Sequence, residues 1–455
     1  MKRRQAVFGY GRHEQCMIRG GDSSDMVRVR AGKISIAVMC AVWFFVAGVH
    51  CASAAGKPAT TAETAAILAG LDAAPKSLDT AAQARVGPFA RDIAKAWAGY
   101  QKRIGIPMKA WSCTELDAVA GETVFYPFSG PDFATVQQLY PAAGRFVLLA
   151  IQRAGPPPDV AHYPAQKLAG FLSAFRERWR FFTTTGFFRT NDLDADGKQA
   201  ESGLGITTEL MAFAASLGYT VDAVEPVQIN ADGAELAVLP ADAADHGAWN
   251  SVRLTLSRGG RKVLLDYVRL DLSDGYLRRH GASRNWVERM AGNRTVLKAA
   301  SHLLQKPYFS ILRQALLARA PSVWQDETGL DYEALKTAFN VTLYGKFSKP
   351  HRLFEQSWQR PLALAYQESA NVKPLPYRAG YEKQSGSSVI VAVRGKPSAD
   401  RRAQCPRPLL KCHPIIRGAD IFTGLADMRQ SGARHGCRHR WRLPHQCVAQ
   451  IVSPA

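Results

Sequence analysis

The sequence predicts an α+β protein with a mixed sheet and flanking helices. Runs with the two-residue period of half-buried strands recur along the chain, between runs with the 3.6-residue period of helices. The two kinds of run follow no regular strand–helix–strand repeat, which argues against a purely parallel α/β fold. With 455 residues, 47% of them hydrophobic, the chain is long enough to bury a sizeable core.

The first predicted elements are separated by clear breaking residues. Apolar residues at helical intervals predict a helix from residue 86. A strand at "ETVFYPFSG" is ended by Gly130-Pro131, and three prolines follow a buried strand at "GRFVLLAIQRAG". Helices are predicted at "PDFATVQQLYP", "PAQKLAGFLSAFRERWRFF" and "ITTELMAFAASLGY", the last closed by Gly218.

The later elements begin with a hairpin. Two alternating segments in "RLTLSRGGRKVLLDYVRLDL" flank Gly259-Gly260, a pair that suits a tight turn. The remaining periods predict strands at "VTLYGKF" and "SSVIVAVRG" and helices at "SRNWVERMA", "TVLKAASHLLQ", "YFSILRQALLARA", "DYEALKTAFN" and "HRLFEQSWQRPLALAYQ". The body is therefore expected to span residues 86–397, as one unit or as two lobes divided near residue 245 or 282. Residues 55–85 are typical of a linker or a weak helix.

The apolar run at residues 34–49 has the organisation of a secretory signal peptide. Basic residues precede it, and the small residues "ASA" follow it at positions 52–54. We expect residues 26–54 to direct export to the periplasm or the medium, with an uncleaved membrane anchor as the alternative. Met26 stands where such a signal normally begins, so residues 1–25 are interpreted as an upstream extension.

The formal net charge of +20 is unevenly distributed. Residues 1–54 contribute +5 and residues 398–455 contribute +7, which leaves +8 for the rest of the chain. No basic helix or arginine stripe stands out in the body. Nucleic acid is therefore not an expected partner, and a membrane is expected to be met only through an uncleaved signal segment.

The tail, residues 398–455, has neither the helical nor the strand period and is rich in Arg, Cys, His and Pro. We expect it to be out-of-frame sequence or a disordered basic tail. A zinc site is a third alternative, although the spacing of its Cys and His matches no compact zinc motif. The tail and the N-terminus hold every cysteine except Cys113, so the body is expected to have no disulfide of its own.

One stretch, "TNDLDADGKQAESG", resembles half of a calcium-binding loop. Asp192, Asp194 and Asp196 occupy alternate positions before Gly197, as an EF-type loop requires. The bidentate glutamate that closes such a loop is replaced by Gly203. We therefore expect a turn rather than a metal site, and these three aspartates remain weak metal candidates.

Three other carboxylates are candidate catalytic residues. Asp132 follows a predicted strand at "FSGPD", where it also suits a helix cap. Asp326 and Glu327 are adjacent in "WQDETG", and neighbours on a strand face opposite sides, which makes them a poor acid–base pair by themselves. Paired with Asp132, they would flank a glycosidic bond. The alternative is a polar turn.

A basic, aromatic segment at "YGKFSKPHR" is the remaining candidate. It groups Lys346, Lys349, His351 and Arg352 with aromatic residues. Such a group suits an anionic ligand, but a solvated loop is the favoured interpretation.

Several segments together resemble a family of uncharacterised secreted bacterial proteins. The similarity covers residues 111–395 and is carried by "FYPFSGPDF", "FVLLAIQRAG", "FFRTNDL", "GITTELMAFAASLGY", "TVLKAASHLL", "VWQDETGLDY" and "YGKFSKPHRLFEQSWQRPLALAY". The resemblance implies export and a body that ends near Pro397. In that family the segment after "FFRT" lacks the Asp-x-Asp-x-Asp pattern, which weakens the calcium interpretation. The resemblance implies no activity and assigns no site residue.

We therefore expect a non-catalytic binding or envelope-associated protein whose partner is an envelope component or a small ligand. The alternatives are a periplasmic hydrolase that uses these carboxylates on a glycan-like polymer, and a calcium-stabilised secreted protein. No cofactor is expected apart from calcium in the last case. A deep cleft that gathers the carboxylates beside an aromatic ring would favour the hydrolase, and dispersed surface carboxylates would favour the binding protein.

Overall fold

The computed structural model describes residues 60–117, 121–188, 193, 204–240 and 248–395. The predicted signal segment, the irregular tail and Asp192, Asp194 and Asp196 lie outside these residues. The described residues form one compact unit built on a ten-stranded mixed sheet with flanking helices, which confirms the predicted α+β class.

The sheet has a parallel centre and antiparallel margins. Its strands are β1 Thr123–Tyr126, β2 Arg145–Ala150, β3 Thr220–Ile229, β4 Leu236–Val238, β5 Ser251–Arg258, β6 Arg261–Arg269, β7 Arg294–Leu297, β8 Ser322–Gln325, β9 Asn340–Gly345 and β10 Ser388–Val393. Their order is β4-β3-β5-β6-β2-β1-β7-β8-β10-β9. The five adjacent strands from β6 to β8 are parallel. Parallel neighbours require crossover connections, so the fold contains strand–helix–strand units that the sequence periods do not indicate.

The helices divide between the two faces of the sheet. They are α1 Thr61–Leu68, α2 Thr80–Tyr100, α3 Ile106–Glu115, α4 Phe133–Leu139, α5 Ala165–Thr185, α6 Ile206–Ser216, α7 Asp274–Arg279, α8 Gly281–Met290, α9 Ser310–Arg319, α10 Tyr332–Ala338 and α11 Arg360–Glu368. Side chains alternate along a strand, so Val124 and Tyr126 pack with α1–α6, whereas Phe125 packs with α7–α11. Each face therefore has its own apolar core.

The sheet includes strands from both sides of residues 245 and 282, so neither position divides the compact unit. Within the region expected to be a linker, α1 buries Ala65, Ile67 and Leu68. Cys113 is disulfide-bonded. No other cysteine belongs to the described residues, so the expectation that the body has no disulfide of its own stays a prediction.

Most predicted elements are confirmed, but the helix predicted at "TVLKAASHLLQ" is wrong. Residues 294–297 form β7, and the chain then turns with positive φ angles at Ala299, Ser301 and His302. Strand β8, at "SVWQ", is likewise absent from the predicted elements. Both strands are four residues long and lie in the buried centre, and a run so short does not distinguish a period of 2 from a period of 3.6.

The helix predicted at "HRLFEQSWQRPLALAYQ" is divided in two. A 3-10 segment spans Arg352–Ser357, and α11 begins at Arg360 with a proline in its first turn. Proline is accepted there because the first N–H groups of a helix have no intrahelical partner. The two residues between the segments, Trp358 and Gln359, are extended.

Gly345, at the end of β9, occupies a position where no side chain fits. Its φ is +83°, and an added Cβ would lie 2.1 Å from the Ser387 carbonyl oxygen. We expect Gly345→Ala to lower the free energy of unfolding by about 2–4 kcal/mol, because left-handed strain and a backbone clash both oppose the side chain. Urea titration followed by circular dichroism measures the loss.

Gly260 is the matched control for this substitution. Its φ of +77° is nearly the same, but nothing lies within 4 Å of its added Cβ. Gly260→Ala should therefore lower the free energy of unfolding by only about 1–2 kcal/mol, the cost of a left-handed backbone with a side chain. Equal losses at the two positions would show that the Ser387 contact does not matter.

Candidate functional site

The parallel centre of the sheet has a topological switch point between β1 and β7. From β1 the chain adds β2 and β6 on one side, and it adds β7 and β8 on the other. In open sheets of this kind, ligands bind at the carboxyl ends of the strands where the order reverses. The segments that leave β1, β7 and β8 therefore form the candidate site.

The backbone at the switch point is strained. Among the described residues, every non-glycine residue with positive φ lies in the segments after β1 and β7: Phe128, Ala299, Ser301 and His302. Their φ angles range from 52° to 60°. Such conformations cost about 1–3 kcal/mol each and persist only where surrounding contacts compensate.

Lys298, the first residue after β7, makes hydrogen bonds that hold this strained region in place. Its Nζ donates to Asp132 Oδ2 at 2.6 Å, to the Gly186 carbonyl oxygen at 2.6 Å and to the Thr135 hydroxyl. The side chains of Lys298 and Asp132 are only 3% and 2% exposed. Ion pairs buried this deeply are held together by their additional hydrogen bonds.

Asp132 is also tied to its own strand and helix. Its Oδ1 accepts a hydrogen bond from the Thr135 backbone N–H at 3.0 Å, so the side chain caps α4 as expected. Its Oδ2 accepts from the Tyr126 hydroxyl at 3.2 Å. Burial, and then the charges of Asp132 and Asp326, raise the pKa of Tyr126. Both carboxylate oxygens of Asp132 therefore accept hydrogen bonds.

Asp326, directly after β8, joins the ends of β7 and β8. Its Oδ2 accepts from the Ala299 N–H at 2.7 Å, and its Oδ1 accepts from the Thr328 N–H and hydroxyl at 2.9 and 2.6 Å. Burial raises the pKa of Asp326, and these donors oppose that change. The side chain fixes the strained segment that contains Ala299.

Glu327 differs from its neighbour in having few donors. Its Oε2 accepts from the Ser388 hydroxyl at 2.9 Å, whereas Oε1 is buried and has no hydrogen-bond partner among the described residues. Burial, followed by the charge of Asp326, raises the pKa of Glu327 to about 8. Among the described residues, Asp326 has three donors and Glu327 has one, which favours the neutral form of Glu327 over that of Asp326.

The structure thus brings Asp132, Asp326 and Glu327 to one edge of the sheet, but it buries them. Their exposed fractions are 1%, 0% and 2%. The residues that line the open grooves of this edge do not include them. They therefore lie neither in an open cleft, as expected of a hydrolase, nor dispersed on the surface, as expected of a binding protein. They are gathered, as a hydrolase requires, but enclosed.

The Asp-rich stretch contributes one described residue to this region. Leu193 is 2% exposed, and its Cδ1 lies 3.1 Å from the position of an added Cβ on Gly130. Leu193 therefore packs against the segment that leaves β1. Asp192, Asp194 and Asp196 lie outside the described residues. Within the described part of the chain, no group of three His, Cys, Asp or Glu side chains could hold a metal ion.

An open groove lies on the same edge of the sheet, beyond the end of β9. It has a volume of about 740 Å³, and an adjoining pocket of about 480 Å³ shares Lys349, Trp358 and Glu382 with it. We call the two together the basic groove. Its charged and aromatic lining residues are Lys346, Phe347, Lys349, His351, Arg352, Glu355, Trp358, Arg360, Tyr366 and Glu382.

Local backbone contacts explain why Trp358 faces the groove. The next residue, Gln359, is 6% exposed, donates through Nε2 to the Glu327 carbonyl and accepts through Oε1 from the Tyr332 N–H. In an extended segment, neighbouring side chains point in opposite directions. The inward anchor at Gln359 therefore holds Trp358 outward, where it is 55% exposed.

The electrostatics of the basic groove favour an anion. Lys346, Lys349, Arg352 and Arg360 are exposed, and in the described part of the chain they form no ion pair. Two acidic residues, Glu355 and Glu382, also line the groove. The segment "YGKFSKPHR" predicts the part of the groove that is formed by Lys346, Lys349, His351 and Arg352. Trp358, Arg360 and Glu382 carry no comparable signal, because their positions depend on the anchored turn.

Comparison with known proteins provides no identification. The chain matches no family model, no curated protein and no solved structure. Within the described ranges, no helix has both the length and the apolar character to cross a membrane. The class that fold and site define is an α+β protein with a doubly wound parallel centre and a basic groove at its carboxyl edge.

Proposed function

We propose that this protein is a non-catalytic binding protein of the cell envelope, and that its ligand is an anion with an apolar part. The observation that carries the proposal is the basic groove, where four exposed cations that form no ion pair within the described residues line the same walls as an outward-facing tryptophan. Guanidinium and ammonium groups bind carboxylate or phosphate oxygens. An indole ring offers an apolar face to the rest of the ligand.

Burial favours binding over hydrolysis. A general acid or base must lie within hydrogen-bond reach of its substrate. Asp132, Asp326 and Glu327 are at most 2% exposed and are held largely by protein donors, so they support the fold more directly than they would support chemistry. A periplasmic hydrolase is the second candidate, and it requires these three carboxylates to become exposed.

Export is part of this proposal. It is supported by the order of basic residues, apolar run and small residues that ends at position 54. N-terminal sequencing of the exported chain tests it, and an intact N-terminus would contradict cleavage. A calcium-stabilised protein is a further alternative, and it requires millimolar calcium to raise the melting temperature.

Binding of phenyl phosphate, an aromatic anion, tests the groove. We expect saturable binding in calorimetry. Lys346→Glu combined with Lys349→Glu should weaken it by about tenfold or more, because this change reverses two charges that face the anion. Higher salt should weaken binding to the wild-type chain as well, since the groove is open to solvent.

Matched controls separate the groove from general charge effects. Lys95→Glu combined with Lys102→Glu makes the same change in net charge at exposed positions that do not line the groove. This pair should leave phenyl phosphate binding unchanged. The absence of saturable binding at millimolar concentration, or equal loss in both double variants, would overturn the proposal.

A further inference from the structure

Exposed apolar side chains are concentrated beside the basic groove. Leu353, Trp358 and Leu364 are 62%, 55% and 38% exposed. These three lie within residues 353–364. The other large hydrophobic residues exposed in the described chain are spread over Leu71, Ile106, Ile151, Val238 and Tyr308. Exposed apolar side chains grouped on one segment next to charged groups mark an interaction site more often than scattered single residues do.

The outward direction of these side chains is imposed by inward anchors on the same segment. Phe354 lies with its ring centroid 5.2 Å from that of His302 and 4.9 Å from that of Tyr381. Leu362 is fully buried in the core beneath α11. Phe354 and Leu362 therefore fix the segment on its inner side, and the apolar side chains at positions 353, 358 and 364 are left exposed to water.

Cations lie on the same segment as these apolar side chains and line the adjoining groove. Lys346, Lys349, Arg352 and Arg360 are all exposed, against the acidic residues Glu355 and Glu382 of the same region. Leucine and tryptophan side chains flanked by Lys and Arg are the combination with which peripheral proteins bind an anionic bilayer. The apolar groups enter the interface, and the cations meet the headgroup phosphates.

We propose that residues 346–364 form a docking surface for an anionic lipid bilayer. The inference rests on the proposed function, because the cations of the basic groove are the groups that meet the lipid phosphates. A small soluble anion in the groove would leave Leu353, which lines neither pocket, in water, whereas a bilayer covers it together with Trp358 and Leu364. This surface departs from the expectation that the chain meets a membrane only through its signal segment.

Vesicle flotation of the full chain tests the docking surface. The two vesicle types are phosphatidylcholine alone and phosphatidylcholine mixed with phosphatidylglycerol. We expect binding to the anionic vesicles to be about tenfold tighter or more, and to weaken with salt. Leu353→Ser combined with Trp358→Ser should remove most of this preference, and so should Lys346→Glu combined with Lys349→Glu.

The control variant carries Leu71→Ser and Ile151→Ser, which replace exposed apolar residues outside the docking surface. It should bind anionic vesicles like the wild-type chain. The apolar run at residues 34–49 is common to all variants, so it does not contribute to differences between them. Bromolipid quenching adds a local readout, because quenching lost in Trp358→Phe reports insertion of that ring.

The outcomes separate the two proposals. Loss of vesicle binding in both surface variants, with quenching at Trp358, supports the docking surface. Phenyl phosphate binding without any preference for anionic vesicles would overturn the docking surface and leave the proposed function standing. Absence of both activities would overturn both.

Discussion

Replacing Lys298 with methionine is expected to lower the free energy of unfolding by about 3–5 kcal/mol. This is the usual effect of leaving one partner of a buried ion pair uncompensated. Without the ammonium group, Asp132 stays 1% exposed with a charge that only neutral donors face. Urea unfolding should show a lower midpoint with an unchanged slope.

Two further variants interpret this loss. Lys298→Met combined with Asp132→Asn should be less destabilised than the sum of the single changes, because the unpaired charge is then absent. Arg284→Met removes one partner of the exposed pair with Glu288 and should cost only about 0–1 kcal/mol. A loss at Lys298 no larger than that at Arg284 would mean that the buried pair does not support the switch point.

Glu327→Gln is expected to change how stability depends on pH. The pKa of Glu327 is about 8 in the folded chain, above its ordinary 4.5. A raised pKa gives stability that is fully present below pH 4.5 and is lost as pH rises to 8, because the folded state must then release a proton that it holds. The glutamine variant cannot ionise and should not show this loss.

The measurement is a set of urea titrations from acid to alkaline pH on the wild-type chain and Glu327→Gln. Each unit of pKa is worth about 1.4 kcal/mol, so the wild-type chain should lose a few kcal/mol relative to the variant above pH 8. Glu368→Gln, an exposed control, should reproduce the wild-type curve. Parallel curves for the wild-type chain and Glu327→Gln would show that the pKa of Glu327 does not differ between the folded and unfolded states.

The α+β class and most elements follow from local patterns. Helix α5 is long enough for its apolar side chains to define a period of 3.6, and Gly259-Gly260 locates the hairpin of β5 and β6. Each of these two signals depends only on residues that are close together in the sequence. The four-residue strands β7 and β8 have no such signal, and they are the two strands that position Lys298, Asp326 and Glu327.

The candidate residues illustrate the same division. Asp132 as a helix cap follows from its place before α4, and the structure confirms it. Its contact with Lys298 joins residues 166 positions apart, which no local pattern indicates. The importance of Lys298 is hidden because "TVLKAASHLLQ" has the composition of a helix. The basic groove is partly indicated by "YGKFSKPHR", but Trp358 becomes part of it only through the anchored Gln359.

By itself, the sequence determined the fold class, the positions of several long helices such as α5, the cap at Asp132 and the basic character of residues 346–352. These depend on interactions within a few residues, which composition and spacing record. Only the tertiary structure decided the strand order, the burial of Asp132, Asp326 and Glu327, and the outward position of Trp358. Those features depend on which distant segments are adjacent, and adjacency is set by the packing of the whole sheet.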